Sequence, residues 1–250
     1  MKAHPHYSAP LDGPNRGRGV SVAARAIGGE GATPHVATIN VNTNGTITLV
    51  TGSNDLSGTR TSVAMQAAEV LGLAVEDVIS TVGDTDSAGW SGVANGSKIT
   101  YSTGLAAIAA AEEVGVQMSA RAALLWEVQR EDVEFKDGVF VCTRNPADKM
   151  TFRELSARLM STGGPISCTG YTFPTGPGGV LFGGNIVDVE VDPETGKVEI
   201  LRYTTFTDVG KAVHPSFVEG QAQGSTAQGV GWALNEEYFY TQNGTIANST

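Results

Sequence analysis

The stretch that decides the fold is GDTDSAGWSGVANGSKITYSTG, residues 83–104, which places small residues, glycines and hydroxyls in front of an alanine-rich segment. This pattern is typical of a loop that leads into a long helix. The first N–H groups of a helix have no partners within the helix, and its dipole favours negative charge there. The stretch therefore predicts an anion-binding loop at the start of a helix.

The segments around this stretch predict an α+β fold. Three turn-like stretches each separate two strand-like runs, which predicts three hairpins: Asn44-Gly45, Asp137-Gly138 and DPETGK (192–197). Apolar spacing predicts a helix over residues 57–73, and a long alanine-rich pattern predicts another over about 102–128 with a break near Gly115. A capping box of Thr151 and Glu154 predicts a short helix over 151–160, and a segment rich in small residues predicts one over 214–239. Hairpins interspersed with helices, without a regular βαβ repeat, indicate an α+β fold with two subdomains.

Composition excludes several classes of function. The 26 acidic and 16 basic residues give a net charge of −10, which argues against nucleic acid and anionic membranes as partners. Cys142 and Cys168 lie far apart with no CxxC, so neither a zinc site nor a disulfide framework is indicated. No apolar run is long enough to span a membrane, and the first residues lack the apolar core of a signal peptide. These features predict a soluble, cytoplasmic chain.

Two common nucleotide motifs do not fit the opening stretch. A P-loop needs four residues between its glycines and a hydroxyl after its lysine, but three residues separate Gly92 from Gly96, and Ile99 follows Lys98. No G-x-G-x-x-G opens a helix with an acidic residue about 20 positions later, so the Rossmann fingerprint is also absent. The anion is therefore not assigned by either motif.

Three segments in order carry a family resemblance. They are TGSNDLSGTRTSVAMQAAEVLG (51–72), the opening stretch (83–104) and DVGKAVHPSFVEGQAQGSTAQGVGWALNEE (208–237). Together they resemble the second molybdopterin-binding region of the large, molybdenum subunit in the xanthine dehydrogenase, aldehyde oxidase and aerobic carbon monoxide dehydrogenase family. The resemblance extends from about residue 17 to residue 250.

The resemblance implies that the anion is the phosphate or pyrophosphate of a molybdenum-pyranopterin cofactor, as molybdopterin or its cytosine dinucleotide form. The residues that match the family's cofactor contacts are Gly58, Thr59, Gly96, Ser97, Lys98, Thr100, Gly220, Gln221 and Gly224. Ser57 stands where relatives carry glutamine, which weakens the assignment at that loop.

The resemblance also implies an oxidoreductase that hydroxylates an aldehyde, an N-heterocycle or a similar electron-poor carbon. Electrons would pass to iron–sulfur clusters and FAD on partner chains, and the other partners would be the remaining segments or chains of the molybdenum subunit and a small-molecule substrate. In relatives the glutamate base lies beyond the point that matches Thr250, so no catalytic residue and no metal ligand is assigned here. The isolated chain is accordingly not assigned an activity of its own.

The predicted organisation is a poorly ordered leader over residues 1–16, a first molybdopterin-binding subdomain over 17–165 and a second over 166–250. The resemblance marks the second as truncated at its C-terminal side, which leaves a fragment and a split-gene product as alternatives. A further alternative is a non-catalytic scaffold or assembly module that kept the fold and lost the cofactor.

Several of these residues have simpler alternative roles. Ser97 and Thr100 are candidates for helix caps, and Gln221 and Gln228 for solvent-facing positions. For the remaining polar residues the structural interpretation is preferred: a solvated pair for Glu236 and Glu237, turn-bracing for Asp84 and Asp86, and a structural role for His214. His4 and His6 have no neighbouring ligand residues in the sequence.

Overall fold

The computed structural model describes residues 1–27, 33–176 and 178–248. The helices are α1 (Pro5–Ser8), α2 (Thr59–Leu71), α3 (Ile99–Trp126), α4 (Phe152–Ser156) and α5 (Pro215–Leu234). The strands are β1 (Arg16–Ala26), β2 (His35–Val41), β3 (Ile47–Thr51), β4 (Val78–Val82), β5 (Val133–Lys136), β6 (Val139–Cys142), β7 (Lys149–Thr151), β8 (Ser167–Thr172), β9 (Val180–Val191) and β10 (Val198–Asp208). Helices alternate with antiparallel hairpins, so the predicted α+β class is confirmed.

The chain forms two compact units, one of Ala26–Gly179 and one of Met1–Arg25 with Val180–Thr250. This division differs from the sequence-based one at residues 16 and 165. The cause is long-range strand pairing: β8 joins the first unit by pairing with β2, while β1 joins the second by pairing with β9. Neither pairing leaves a local turn signal in the sequence.

The sheet of the Ala26–Gly179 unit has the strand order β4-β3-β2-β8. The hairpin predicted at Asn44-Gly45 joins β2 to β3, and Gly45 adopts a φ of 87° that closes the turn. Helix α2 then crosses over so that β4 pairs parallel to β3. The side chains of β2 and β3 alternate between buried and partly exposed positions, so one face of the sheet forms the core.

Helix α3 packs its alanine-rich face against that sheet. Ala106, Ala107 and Ala110 are completely buried, and a Cβ built on Gly170 of β8 would lie only 2.1 Å from the Ala106 carbonyl oxygen. The helix is continuous, so the break predicted near Gly115 is wrong. Gly115 instead leaves room for the Phe135 ring, which would lie 3.2 Å from a Cβ there.

The small sheet β5-β6-β7 closes the other end of this core. Its hairpin turns at Asp137-Gly138 as predicted, and the ring of Phe140 stacks on that of Phe135 at 4.3 Å. The predicted capping box at the start of α4 is confirmed, because the Glu154 N–H donates to Thr151 Oγ1 and the Thr151 N–H donates to the Glu154 carboxylate. These bonds lower the pKa of Glu154.

The second unit is a sheet of order β1-β9-β10 with α5 as its long helix. The hairpin predicted at residues 192–197 joins β9 to β10, and its turn is closed by the Asp192 carboxylate, which accepts a 2.8 Å bond from the Glu194 N–H. No residue of α5 is buried within this unit. In the part of the chain that the structure describes, no helix has both the length and the apolar character needed to cross a membrane.

A buried ion cluster holds the N-terminal residues on this sheet. His6 is fully buried, with Nε2 3.0 Å from Asp188 Oδ2 and Nδ1 2.7 Å from Thr204 Oγ1. Arg18 donates to both Asp188 oxygens, at 2.6 and 2.8 Å, and its side-chain hydrogen bond lowers the pKa of Asp188 to about 2. Residues 1–16, predicted as a poorly ordered leader, thus contain a side chain at the centre of this cluster.

We expect Gly170→Ala to destabilise the Ala26–Gly179 unit by about 1–3 kcal/mol, since the added methyl group has no space between β8 and α3. Gly176→Ala is the control, because a Cβ there meets no atom within 4 Å. Urea unfolding measures both variants. Equal midpoints for the two would show that β8 does not pack as closely on α3 as described.

The pKa of Asp188 predicts how stability depends on pH. The pKa is about 2 in the folded chain against 3.8 ordinarily. The pair of Asp188 and Arg18 therefore stabilises the fold above about pH 4, and this contribution is lost as the pH falls towards 2. We expect Asp188→Asn to be less stable than wild type at pH 7 and to lose less stability between pH 4 and pH 2.5. Urea midpoints at several pH values test this, with Glu190→Gln, from the more exposed pair with Arg16, as the control. A wild-type acid response in Asp188→Asn would contradict it.

Candidate anion-binding site

The start of α3 collects four of the residues predicted from the sequence: Gly96, Ser97, Lys98 and Thr100. Gly96 and Ser97 both adopt left-handed backbone conformations, with φ values of 59° and 57°. The left-handed region is unfavourable for serine, with a cost of order 1–3 kcal/mol. The surrounding structure therefore holds this loop in one particular conformation in front of the helix.

The capping alternative for Ser97 and Thr100 is not what the structure shows. The cap residue of α3 is Lys98, without a side-chain cap bond, and neither hydroxyl has a hydrogen-bond partner within residues 1–27, 33–176 and 178–248. Ser97 is exposed and Thr100 is half-buried. The N–H groups of the first turn and two free hydroxyls thus remain available to an external acceptor.

Lys98 carries a buried positive charge at this position. Its residue is 5% exposed, and Nζ donates to Thr33 Oγ1 at 3.1 Å. Among the residues that the structure describes, no carboxylate pairs with Lys98. A buried ammonium without a counter-charge is costly, so an anion at the start of α3 would be favoured by both this charge and the helix dipole.

A buried cluster of hydroxyls around His35 lies behind the lysine. His35 Nδ1 is 3.0 Å from both Ser91 Oγ and Thr103 Oγ1, and Ser53 Oγ lies 2.5 and 2.6 Å from those two hydroxyls. Thr33 Oγ1 makes a long contact of 3.5 Å with His35 Nε2. The cluster thereby links the start of β2, the segment after β3, the loop of residues 83–98 and the second turn of α3.

The direction of these bonds follows from Lys98. The ammonium only donates, so Thr33 Oγ1 accepts from it and directs its own hydrogen towards His35 Nε2. With the Thr33 hydrogen on that side, Nδ1 would carry the imidazole hydrogen and donate to the Ser91 or Thr103 hydroxyl. Burial, and secondly the charge of Lys98, lower the pKa of His35, so the ring is neutral at pH 7.

The start of α2 holds Gly58 and Thr59 in a different electrostatic setting. Asp55 lies at this helix start, where its Oδ1 accepts from the Arg60 N–H at 3.1 Å and its Oδ2 is 3.5 Å from Arg60 Nε. A carboxylate therefore already occupies the position that an anion would take. Gln66 connects the two helices by donating to the Thr100 carbonyl at 3.0 Å.

Gly220, Gln221 and Gly224 lie on α5, in the other compact unit. Gln221 is exposed, and a Cβ built on Gly220 or Gly224 would meet no atom within 4 Å. Helix α5 begins at a structural histidine, because His214 Nδ1 accepts from the Phe217 N–H and its ring stacks on Phe217 at 3.6 Å. The structure brings these three residues together on one helix.

Asp84 has a structural role in the loop before α3. The Asp84 carboxylate accepts from the Asp86 N–H and from Ser87 Oγ, which confirms the turn interpretation and lowers the pKa of Asp84. Cys168 is buried, and desolvation raises its pKa to about 11. No group of three or more His, Cys, Asp or Glu side chains in the described part of the chain could hold a metal ion.

The cluster of His35, Ser53, Ser91 and Thr103 was not predicted from the sequence. The available signal was topological: β2 begins at the same end of the sheet at which its antiparallel neighbour β3 ends. That arrangement places His35 beside Ser53, two residues after β3. The pairing of the loop at Ser91 with His35 could not be inferred from any local motif.

A family model described as a molybdopterin cofactor-binding domain matches residues 5–250. The chain belongs to the molybdopterin cofactor-binding domain family. The resemblance carried by the three sequence segments is therefore confirmed. Relatives include the nicotine 6-hydroxylase large subunit of Paenarthrobacter nicotinovorans, 26% identical over 86% of this chain and 27% of the relative. The carbon monoxide dehydrogenase large chain of Afipia carboxidovorans is 27% identical over 77% of this chain and 24% of the relative.

Solved structures share the fold of this chain. Quinoline 2-oxidoreductase from Pseudomonas putida 86 superposes with a TM-score of 0.81 at 26% identity, over 94% of this chain and 32% of that one. A Cu,Mo-containing carbon monoxide dehydrogenase gives a TM-score of 0.86 at 23% identity, over 94% of this chain and 31% of that one. The domain thus spans about a quarter to a third of the proteins it matches.

We expect Thr103→Val to destabilise the Ala26–Gly179 unit by about 1–3 kcal/mol, because it leaves buried partners of Thr103 without a hydrogen bond. Thr38→Val is the matched control, since Thr38 makes its hydroxyl bond to Thr169 on the exposed side of the sheet. Urea unfolding compares the two variants. A loss in Thr38→Val as large as that in Thr103→Val would contradict a buried network around His35.

Proposed function

We propose that this domain holds part of the molybdenum-pyranopterin cofactor of a molybdenum hydroxylase, with the anionic end of the cofactor at the start of α3. The observation that carries the proposal is the buried charge of Lys98, for which the described residues supply no carboxylate. A phosphate or pyrophosphate group would provide the missing counter-charge. Family membership indicates the cofactor class, and the lysine indicates where its negative charge would lie.

The loop in front of α3 fits such a group in shape as well as in charge. A Cβ built on Gly96 meets no atom within 4 Å, so the backbone there is open to close approach. Ser97 and Thr100 would donate hydroxyl hydrogens, and the first N–H groups of the helix would donate alongside them. Trp90, in the loop before α3, is 68% exposed and would give a bound molecule apolar surface to cover.

We also propose Gly220, Gln221 and Gly224 as cofactor-binding residues, as the resemblance implies. The small residues leave space beside α5, and the Gln221 amide would hydrogen-bond the pterin. Gly58 and Thr59 are the weaker assignments, because Asp55 already occupies the start of α2. The cofactor would be molybdopterin or its cytosine dinucleotide form.

When bound, the cofactor supplies the redox chemistry that hydroxylates an electron-poor carbon of a small-molecule substrate. The role of this chain is to bind and orient it. We assign no catalytic base within the chain and place the iron–sulfur and flavin groups on partner chains. The remaining parts of the molybdenum subunit would cover α5, whose residues are all at least partly exposed within their own unit.

A non-catalytic scaffold or assembly module is the second candidate. It is favoured by Ser57, which replaces the expected glutamine, and by the Asp55 carboxylate at the start of α2. Such a module would keep the fold and bind no molybdenum. The two candidates differ in the metal content of the purified complex.

The test is molybdenum per chain, measured by elemental mass spectrometry after co-expression with the neighbouring gene products in a molybdate-replete host. We expect near-stoichiometric metal in the wild-type complex. The Lys98→Met complex should retain at least about tenfold less molybdenum after dialysis. A hydrogen bond to a charged group contributes ~1.5–3 kcal/mol, and about 1.4 kcal/mol corresponds to a tenfold change in affinity. Ser97→Ala and Gln221→Ala should also lower retention, and Lys136→Met, an exposed lysine of β5, is the control.

Unchanged molybdenum in Lys98→Met, Ser97→Ala and Gln221→Ala would overturn the assignment of these residues. A wild-type complex that contains no molybdenum would favour the scaffold instead.

A further inference from the structure

His35 is the buried titratable group on which the parts of the candidate site converge. It is 1% exposed, and it is the first residue of β2. We propose that His35 is a positioning residue that takes up a proton when an anion binds at the start of α3. This inference rests on the proposed function, because it assumes that the anion site is there.

The geometry connects the imidazole to the anion site through two routes. Ser91 and Thr103 bond Nδ1, and these residues belong to the glycine-rich loop and to the second turn of α3. Thr33 lies between Nε2 and the ammonium of Lys98, with distances of 3.5 and 3.1 Å. A change in the charge of His35 would therefore be felt both by the loop and by the lysine.

Without an anion, the ring is held neutral by its surroundings. Among the residues that the structure describes, the groups that face it are Thr33 from the segment before β2, Ser53 from the segment after β3, Ser91 from the loop, Lys98 at the cap position of α3 and Thr103 from α3 itself. Of these only Lys98 is charged, and it repels a second positive charge.

An anion beside Lys98 would reverse this balance. Its negative charge offsets the lysine and favours the imidazolium form of His35. The imidazolium then donates from both nitrogens, so Thr33 Oγ1 accepts from His35 as well as from Lys98 and turns its hydrogen away from the ring. The proton comes from solvent, and at most one proton is taken up for each anion bound.

Sulfate is the probe, because it stays a dianion through the pH range used and cannot itself take up the proton. Isothermal titration calorimetry on the full 250-residue chain would be run at pH 5.5, 6.5 and 7.5, in two buffers of different ionisation enthalpy. We expect affinity to rise about fivefold from pH 7.5 to 5.5, within the limit of tenfold per pH unit for one proton. The measured enthalpy should differ between the buffers, since the buffer supplies the proton.

Two variants locate the effect. His35→Asn keeps an amide able to bond near Ser91 and Thr103 but has no titratable group, so its affinity should be independent of pH and buffer. His214→Asn is the matched control, because His214 caps α5 in the other unit and asparagine is a good cap residue. It should keep the wild-type pH dependence, and Lys98→Met should lose sulfate binding.

The outcomes separate the two proposals. Sulfate binding that requires Lys98 but shows no pH or buffer dependence in wild type would overturn the role of His35 and leave the anion site in place. Full pH dependence in His35→Asn would overturn that role in the same way. No sulfate binding at any pH would overturn the anion site and the role of His35 together.

Discussion

The close approach of α3 to the sheet is the constraint on which the rest of the Ala26–Gly179 unit depends. It requires residues without bulk on both sides, which are alanines on the helix and Gly170 on β8. Because the helix lies so near the strands, Thr103 in its second turn comes within hydrogen-bond reach of His35 at the start of β2 and of Ser53 just after β3. The candidate site is thus built on rigid elements, and only its outer loop carries backbone strain.

The sequence predicts those structural features that depend only on residues close together along the chain. The turns at Asn44-Gly45 and Asp137-Gly138, and the box of Thr151 and Glu154, were found because each signal spans only a few positions. The pairing of β8 with β2 joins residues more than 120 positions apart and depends on which edge of the sheet is free. The compact units differ from the predicted subdomains for this reason, and His35 was missed because its partners come from four separate segments.

The break expected at Gly115 shows how one residue type supports two interpretations. A glycine inside a helix costs roughly 1 kcal/mol relative to alanine, which favours a break when only the sequence is considered. In the structure that cost is offset by packing, since the Phe135 ring occupies the space a side chain would need. Phe135 in turn stacks on Phe140, so the glycine serves the core between α3 and the small sheet. Local propensity gave the wrong answer because the compensating contact is tertiary.

The two helix starts have a similar backbone but opposite charge balance. Ser57-Gly58 leads into α2 and Gly96-Ser97 into α3, and all four residues are left-handed. At α2 the Asp55 carboxylate already satisfies the helix end, whereas at α3 the charge nearby is the buried ammonium of Lys98. Strain, and a buried charge for which the described residues supply no carboxylate, both lower the stability of the chain without a ligand. A ligand that binds only the folded state recovers that free energy, so in this domain an anion at α3 would stabilise the fold as well as occupy the site.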